Sequence, residues 1–160
     1  MSPALIGLGS NLDDPKAHIL QAFKDLNALA ETKLVASSRL YGSTPLGPQD
    51  QPDFVNAAAL VKTNLSPLVL LDSLLAIEQQ HQRQRLRHWG PRTLDLDLLW
   101  FNDQIIQEDR LTVPHPGVTE RNFVLLPVQD IAPNLSINGY TLDYWLRQTG
   151  QEGIQVLETT

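Results

Sequence analysis

The chain has 160 residues, 18 acidic against 12 Lys and Arg side chains, a net charge of −6 and no cysteine. That balance argues against a general nucleic-acid binder, and the missing cysteines exclude a disulfide framework and a thiolate metal site. No run approaches the ~18 apolar residues of a membrane span, and the first residues carry no basic stretch followed by a long apolar core, so no signal peptide is expected. The length suits one domain over residues 1–160, and the missing cysteines are consistent with a reducing cytosol.

In chain order, Ala4 to Leu8 reads as a short buried strand, and GSNLDDP breaks it. Gly7 and Gly9 suggest a tight strand-to-helix turn. Asp14 suits a helix cap and Pro15 the first helical position. Ile19, Phe23, Leu26 and Ala30 then recur at helical spacing, giving a helix over 15–29. Residues 32–43 read as one strand, and TPLGPQDQPD as a loop. Phe54 to Thr63 reads as a strand with Phe54 and Asn56 on one face. Ser66 caps a helix whose Leu70, Leu71, Leu74 and Leu75 form a buried stripe, continued by Glu78.

From Gln79 to Leu94 there is no acid, but there are Arg83, Arg85, Arg87, Arg92, His81 and His88. An acidic protein that keeps such a cluster has either a site for an anionic ligand or a solvated helix end. Residues 94–101 form a strand, and 104–106 extend a hairpin from it. A Pro-bounded loop with a short helix follows, then a last helix over 141–149. The alternation β-α-β-β-α-β with a helical tail predicts a ferredoxin-like α/β sandwich (α+β), a mainly antiparallel sheet flanked by helices.

The strand LDLDLL carries the chemistry. Residues i and i+2 share a face, so Asp95 and Asp97 project together while Leu94, Leu96 and Leu98 point into a core. Their Cα atoms lie about 6.6 Å apart at strand rise, where two carboxylates repel by about 2.5 kcal/mol at an effective dielectric near 20. Aspartate is depleted in strands. A hard divalent cation turns that repulsion into binding, and Mg²⁺ commonly shares carboxylates with substrate phosphates. Metal with arginines implies phosphates. The Walker A pattern is absent, residue 12 is Leu where a dinucleotide fingerprint needs Gly, and four scattered histidines give no zinc cluster.

These residues occur within longer blocks. GLGSNLDDP, STPLGPQDQPDFVNAA, RHWGPRTLDLDLL and LTVPHPGVTERNFVLLPVQDIAP follow in order between Leu5 and Pro133. Together they resemble the 6-hydroxymethyl-7,8-dihydropterin pyrophosphokinases of folate biosynthesis. The resemblance implies a ferredoxin-like sandwich that transfers pyrophosphate from ATP to the pterin hydroxymethyl group, with two Mg²⁺ ions. It makes Asp95 and Asp97 the metal ligands, and Phe54 and Phe123 the aromatic pair around the pterin. Asn56 would bond the pterin's polar edge, and Ser43, Thr44 and Leu46 would add contacts. Arg83 and Arg92 match loop arginines that aid transfer. Glu78, Arg85, Trp89, Leu98, Arg110, Thr112, His115 and Arg121 match positions around ATP. Phe54 stands where many relatives have Tyr, and His88 where Arg is frequent. The partners implied are the two small molecules, with no nucleic acid and no membrane. Two rivals remain: a Mg-dependent nucleotidyltransferase using the same Asp-x-Asp strand, which would release pyrophosphate, and a ferredoxin-like binding module for RNA or protein, with no ATP turnover.

Overall fold

A computed structural model describes residues 1–43, 53–81 and 93–157. In chain order the elements are β1 (Ser2–Ser10), α1 (Pro15–Asn27), β2 (Thr32–Ser37), β3 (Tyr41–Ser43), β4 (Phe54–Thr63), α2 (Pro67–His81) and β5 (Asp95–Phe101). Then come β6 (Ile106–Glu108), β7 (Leu111–Val113), α3 (Asn122–Ile131), β8 (Ser136–Ile137), β9 (Tyr140–Thr141), α4 (Leu142–Thr149) and β10 (Ile154–Val156). The main sheet runs β10-β3-β4-β1-β5, with β2 also paired to β4. Its pairings are antiparallel, so the expected α+β sandwich with a mainly antiparallel sheet is what forms.

Each face of the sheet has its own apolar cluster. Ala4, Ile6, Leu8, Val55, Ala57, Ala59, Val61, Leu96 and Leu98 pack with Ile19, Phe23 and Leu26 of α1 and Leu70, Leu74 and Ile77 of α2. Leu5, Ala58 and Leu99 pack on the other face with Leu125 and Val128 of α3 and Leu142 and Leu146 of α4. The two-residue alternation of β1, β4 and β5 makes both clusters possible.

Several local expectations need correction. Residues 32–43 are two strands along one edge of β4. Between them Ser38 satisfies Ala58 in both directions: its N–H donates to the Ala58 carbonyl (2.9 Å) and its hydroxyl accepts the Ala58 N–H (2.8 Å). Gly7 and Gly9 are not a turn but lie inside β1. Asp14 adopts a left-handed conformation (φ 65°) and its side chain makes no cap. Leu75 is 42% exposed, because Leu70, Leu74 and Ile77 already define the buried side of α2. Residues 106–108 pair with β7 rather than β5; left-handed Asn102 and Asp103 turn the chain away after β5. Ser66 does cap α2, accepting the Val69 N–H at 3.3 Å, and Thr141 caps α4 through Tyr144.

Candidate functional site

The sheet register assembles the site. Tyr41 on β3, Asn56 on β4, Gly9 on β1 and Asp95 on β5 form one cross-strand row. Ala58, Gly7 and Asp97 form the next. Residues opposite one another share a face, and Gly7 and Ala58 lie on the face covered by α3 and α4, since a Cβ on Gly7 would meet Leu99. By alternation, Ser43, Phe54, Asn56, Asp95 and Asp97 all project from that face. Asn56 and Asp95 are two strand spacings apart, about 10 Å. Gly9 between them carries no side chain, so the gap stays open.

Asn56 is buried, and its Nδ2 donates to the buried Ser43 hydroxyl at 2.7 Å. This orientation leaves Oδ1 over Gly9, where a Cβ would stand 3.6 Å from it and 3.9 Å from the Phe54 ring. Asp95 is half-buried and Asp97 is exposed. His115 Nε2 lies 4.0 Å from Asp97 Oδ1. Its other ring nitrogen accepts the Gly117 N–H at 3.0 Å, and its own backbone N–H is fixed to the Leu99 carbonyl at 2.9 Å. With Nδ1 accepting, the proton of a neutral ring sits on Nε2 and faces Asp97.

Glu78 takes a different position from the two aspartates. It is buried in α2, and its Oε2 accepts the backbone N–H of Leu96 at 2.7 Å. Leu96 is the residue between Asp95 and Asp97, on a strand that ends the main sheet. The carboxylate thus fixes the edge from which the pair projects. Leu98 is buried on the opposite face, so only its backbone is available to a ligand.

Arg121 is the residue just before α3, and Phe123 lies in its first turn. With Ser43, Glu120, Asn122, Thr149, Glu152 and Gly153 they line a cavity of about 340 Å³. Gly117 makes room for Arg121: a Cβ there would come within 2.9 Å of the guanidinium. Arg110 is ion-paired with Asp72 of α2, and Thr112 is exposed on β7. Thr44, Leu46, Arg83, Arg85, Trp89 and Arg92 lie outside the described residues.

Sequence reading missed three contributors. Gly9 acts as a spacer, which only the register reveals. The C-terminal segment supplies part of the cavity wall: β10 pairs with β3, and Asn122 Nδ2 donates to the carbonyls of Gly150 (3.2 Å) and Glu152 (3.1 Å). Asp130 on α3 accepts hydrogen bonds from Arg39 and Tyr41, residues 91 and 89 positions away in sequence. No local motif announces contacts at such separations.

Comparison with known proteins adds independent findings. The family model described as 7,8-dihydro-6-hydroxymethylpterin-pyrophosphokinase matches residues 5–133. A Haemophilus influenzae protein named 2-amino-4-hydroxy-6-hydroxymethyldihydropteridine pyrophosphokinase is 52% identical over 135 residues, 84% of each chain. A Pseudomonas aeruginosa protein of the same name is 50% identical, covering 95% of this chain and 94% of its own. The fold also resembles that of a solved Plasmodium falciparum HPPK-DHPS chain, with a TM-score of 0.75 at 17% identity. That match covers 99% of this chain and 48% of the other, so the chain spans about half the length of that larger protein.

Proposed function

The chain belongs to the 7,8-dihydro-6-hydroxymethylpterin-pyrophosphokinase family, and from that premise we propose that it transfers the pyrophosphoryl group of ATP to the hydroxymethyl oxygen of 6-hydroxymethyl-7,8-dihydropterin, releasing AMP, as a step of folate biosynthesis. The observation that carries this reading is the sheet register. It sets Asn56 and the Asp95–Asp97 pair on one face across the side-chain-free Gly9.

In this reading the pterin lies between the rings of Phe54 and Phe123, where a flat heterocycle gains stacking and burial. Asn56 offers Oδ1 to the ring's N–H donors, its amide already oriented by Ser43. Phe54 stacks without the hydroxyl a Tyr would add. ATP lies with its phosphates toward the aspartates. Arg83 and Arg92 follow the charge that develops on the transferred group. Glu78, Arg85, Trp89, Leu98, Arg110, Thr112, His115 and Arg121 surround the nucleotide by family resemblance, as Thr44 and Leu46 do the pterin.

The donor set fits magnesium. Asp95 and Asp97 are hard oxygen ligands on one strand face, and among the described residues no third His, Cys, Asp or Glu joins them. The remaining positions fall to phosphate oxygens and water, as Mg²⁺ prefers. When bound, two such ions supply charge neutralisation of the phosphates and a lowered pKa for the attacking hydroxyl. His115 stands beside Asp97 at 4.0 Å, beyond hydrogen-bond distance, and takes no role as a base in this reading. We place the protein as a single-domain, cytoplasmic monomer. No described helix is long and apolar enough to cross a membrane, and both apolar clusters are covered within one chain.

Incubating the protein with ATP, Mg²⁺ and the pterin tests this. AMP must appear in proportion to the pterin supplied. Pyrophosphate with an adenylylated acceptor would indicate the nucleotidyltransferase instead. Asp97→Ala lowers AMP release by about 10³-fold or more while leaving the circular dichroism spectrum unchanged, since the side chain is exposed and outside both clusters.

A further inference from the structure

Asp130 is the meeting point of four donors from one short stretch of chain. Its Oδ2 accepts the Arg39 backbone N–H (3.1 Å) and Arg39 Nε (3.2 Å), and its Oδ1 accepts Arg39 Nη2 (3.0 Å) and the Tyr41 hydroxyl (2.8 Å). Arg39 Nη2 also donates to the Tyr41 hydroxyl at 3.0 Å, and its guanidinium sits 5.6 Å from the Tyr41 ring centre. Tyr41 is 2% exposed, and a buried hydroxyl needs its partner. Burial pushes the Tyr41 hydroxyl's pKa up, and its bond to Asp130 adds to the rise.

The position of this cluster gives it a role. Asp130 is seven residues after Phe123 on α3, so the two share a helix face about 10 Å apart along the axis. Tyr41 is directly paired with Asn56, and Ser43, two residues on, with Phe54. The bonds from Asp130 therefore join the helix that carries Phe123 to the strand row that carries Asn56. At the other end of α3, Asn122 donates to backbone carbonyls of the C-terminal segment, Gly150 and Glu152.

We propose that Asp130, held by Tyr41 and Arg39, is a positioning residue for the pterin slot: it fixes the separation between Phe123 on α3 and the Phe54–Asn56 wall of the sheet. It touches neither substrate. This rests on the substrate site proposed above. Asp130→Asn is the informative variant, because an amide keeps one acceptor but turns an NH₂ toward Arg39, which has only donors to offer. Tyr41→Phe removes a single bond and keeps the buried ring. Asp130→Glu keeps the charge and both acceptors.

The test is steady-state AMP release with each substrate varied separately, paired with amide hydrogen exchange of the free proteins. Asp130→Asn raises the pterin KM by about tenfold, in line with the cost of small misplacement at a reacting site. Its ATP KM and kcat stay within about twofold, Tyr41→Phe shifts pterin KM in the same direction by less, and Asp130→Glu recovers part of the loss. Exchange over 122–126 quickens in Asp130→Asn while that over α1 does not. An unchanged pterin KM in the folded variant, or equal rises in both KM values, overturns the proposal. If the wild type releases no AMP, the pyrophosphokinase reading is what fails. The clamp is then decided by exchange alone: quickened exchange over 122–126 supports it, and unchanged exchange refutes it.

Discussion

Gly9 shows how one missing side chain shapes the site. A methyl group there would sit in ordinary contact with Asn56 Oδ1 at 3.6 Å and Phe54 at 3.9 Å, and the residue has no positive φ to lose. Gly9→Ala therefore folds normally. It fills the gap between the amide and Asp95, however, and one extra carbon in a substrate pocket changes affinity by about tenfold or more. Pterin KM rises by that factor while urea unfolding is unchanged; equal KM values for variant and wild type would show that the substrate lies elsewhere. At this scale the sequence was legible for side chains that break a pattern. Asp95 and Asp97 stand out in a leucine strand, and Asn56 in an alanine-rich one. Gly9 was not legible as a spacer, because its meaning depends on Asn56 and Asp95 lying on either side of it, 47 and 86 positions away. Glu78 was visible as the last member of a leucine stripe, but its bond to Leu96 across 18 residues was not.

Helix α3 links the strand rows to the cavity, and its two ends behave differently. The Asp130 carboxyl has its pKa set by opposed effects. Burial raises it, but hydrogen bonds from the Arg39 and Tyr41 side chains, the Arg39 N–H and the Arg39 charge outweigh burial and hold it below the ordinary carboxylate value. A depressed folded value means the contribution to stability is present above the unfolded value of about 3.9 and is lost as pH falls through the folded one. The stability gap between wild type and Asp130→Asn, measured by urea unfolding, is therefore constant from about pH 5 upward and narrows below about pH 4. A gap that stays constant into stronger acid would contradict the assignment. At the other end, Asn122→Ala releases the segment around Gly150 and Glu152. The cost is about 1 kcal/mol or less for these exposed bonds, and amide exchange in β10 quickens; unchanged exchange would mean that pairing with β3 suffices. Helix and strand identities were largely readable from periodicity. The break between β2 and β3 was not, because it depends on Ser38 meeting Ala58 rather than on any Pro or Gly.

Over the whole molecule, the sheet separates support from chemistry. One face is sealed by α1 and α2 over an aliphatic cluster. On the other, α3 and α4 cover the part around Leu5, Ala58 and Leu99, while the ends of β1, β4 and β5 carry Gly9, Phe54, Asn56 and the two aspartates. The mixed, mainly antiparallel architecture was accessible from element order because sequential strands and amphipathic helices leave few ways to bury both faces. The strand register was not, since it arises from pairings between distant segments. The register decides whether two aspartates, an amide and a pair of aromatic rings serve one reaction. The most direct measurement is AMP formation from ATP, Mg²⁺ and 6-hydroxymethyl-7,8-dihydropterin by wild type and Asp97→Ala side by side. Pterin-dependent AMP from the wild type and a loss of about 10³-fold in the folded variant is the predicted result; AMP release by Asp97→Ala near the wild-type rate would contradict it.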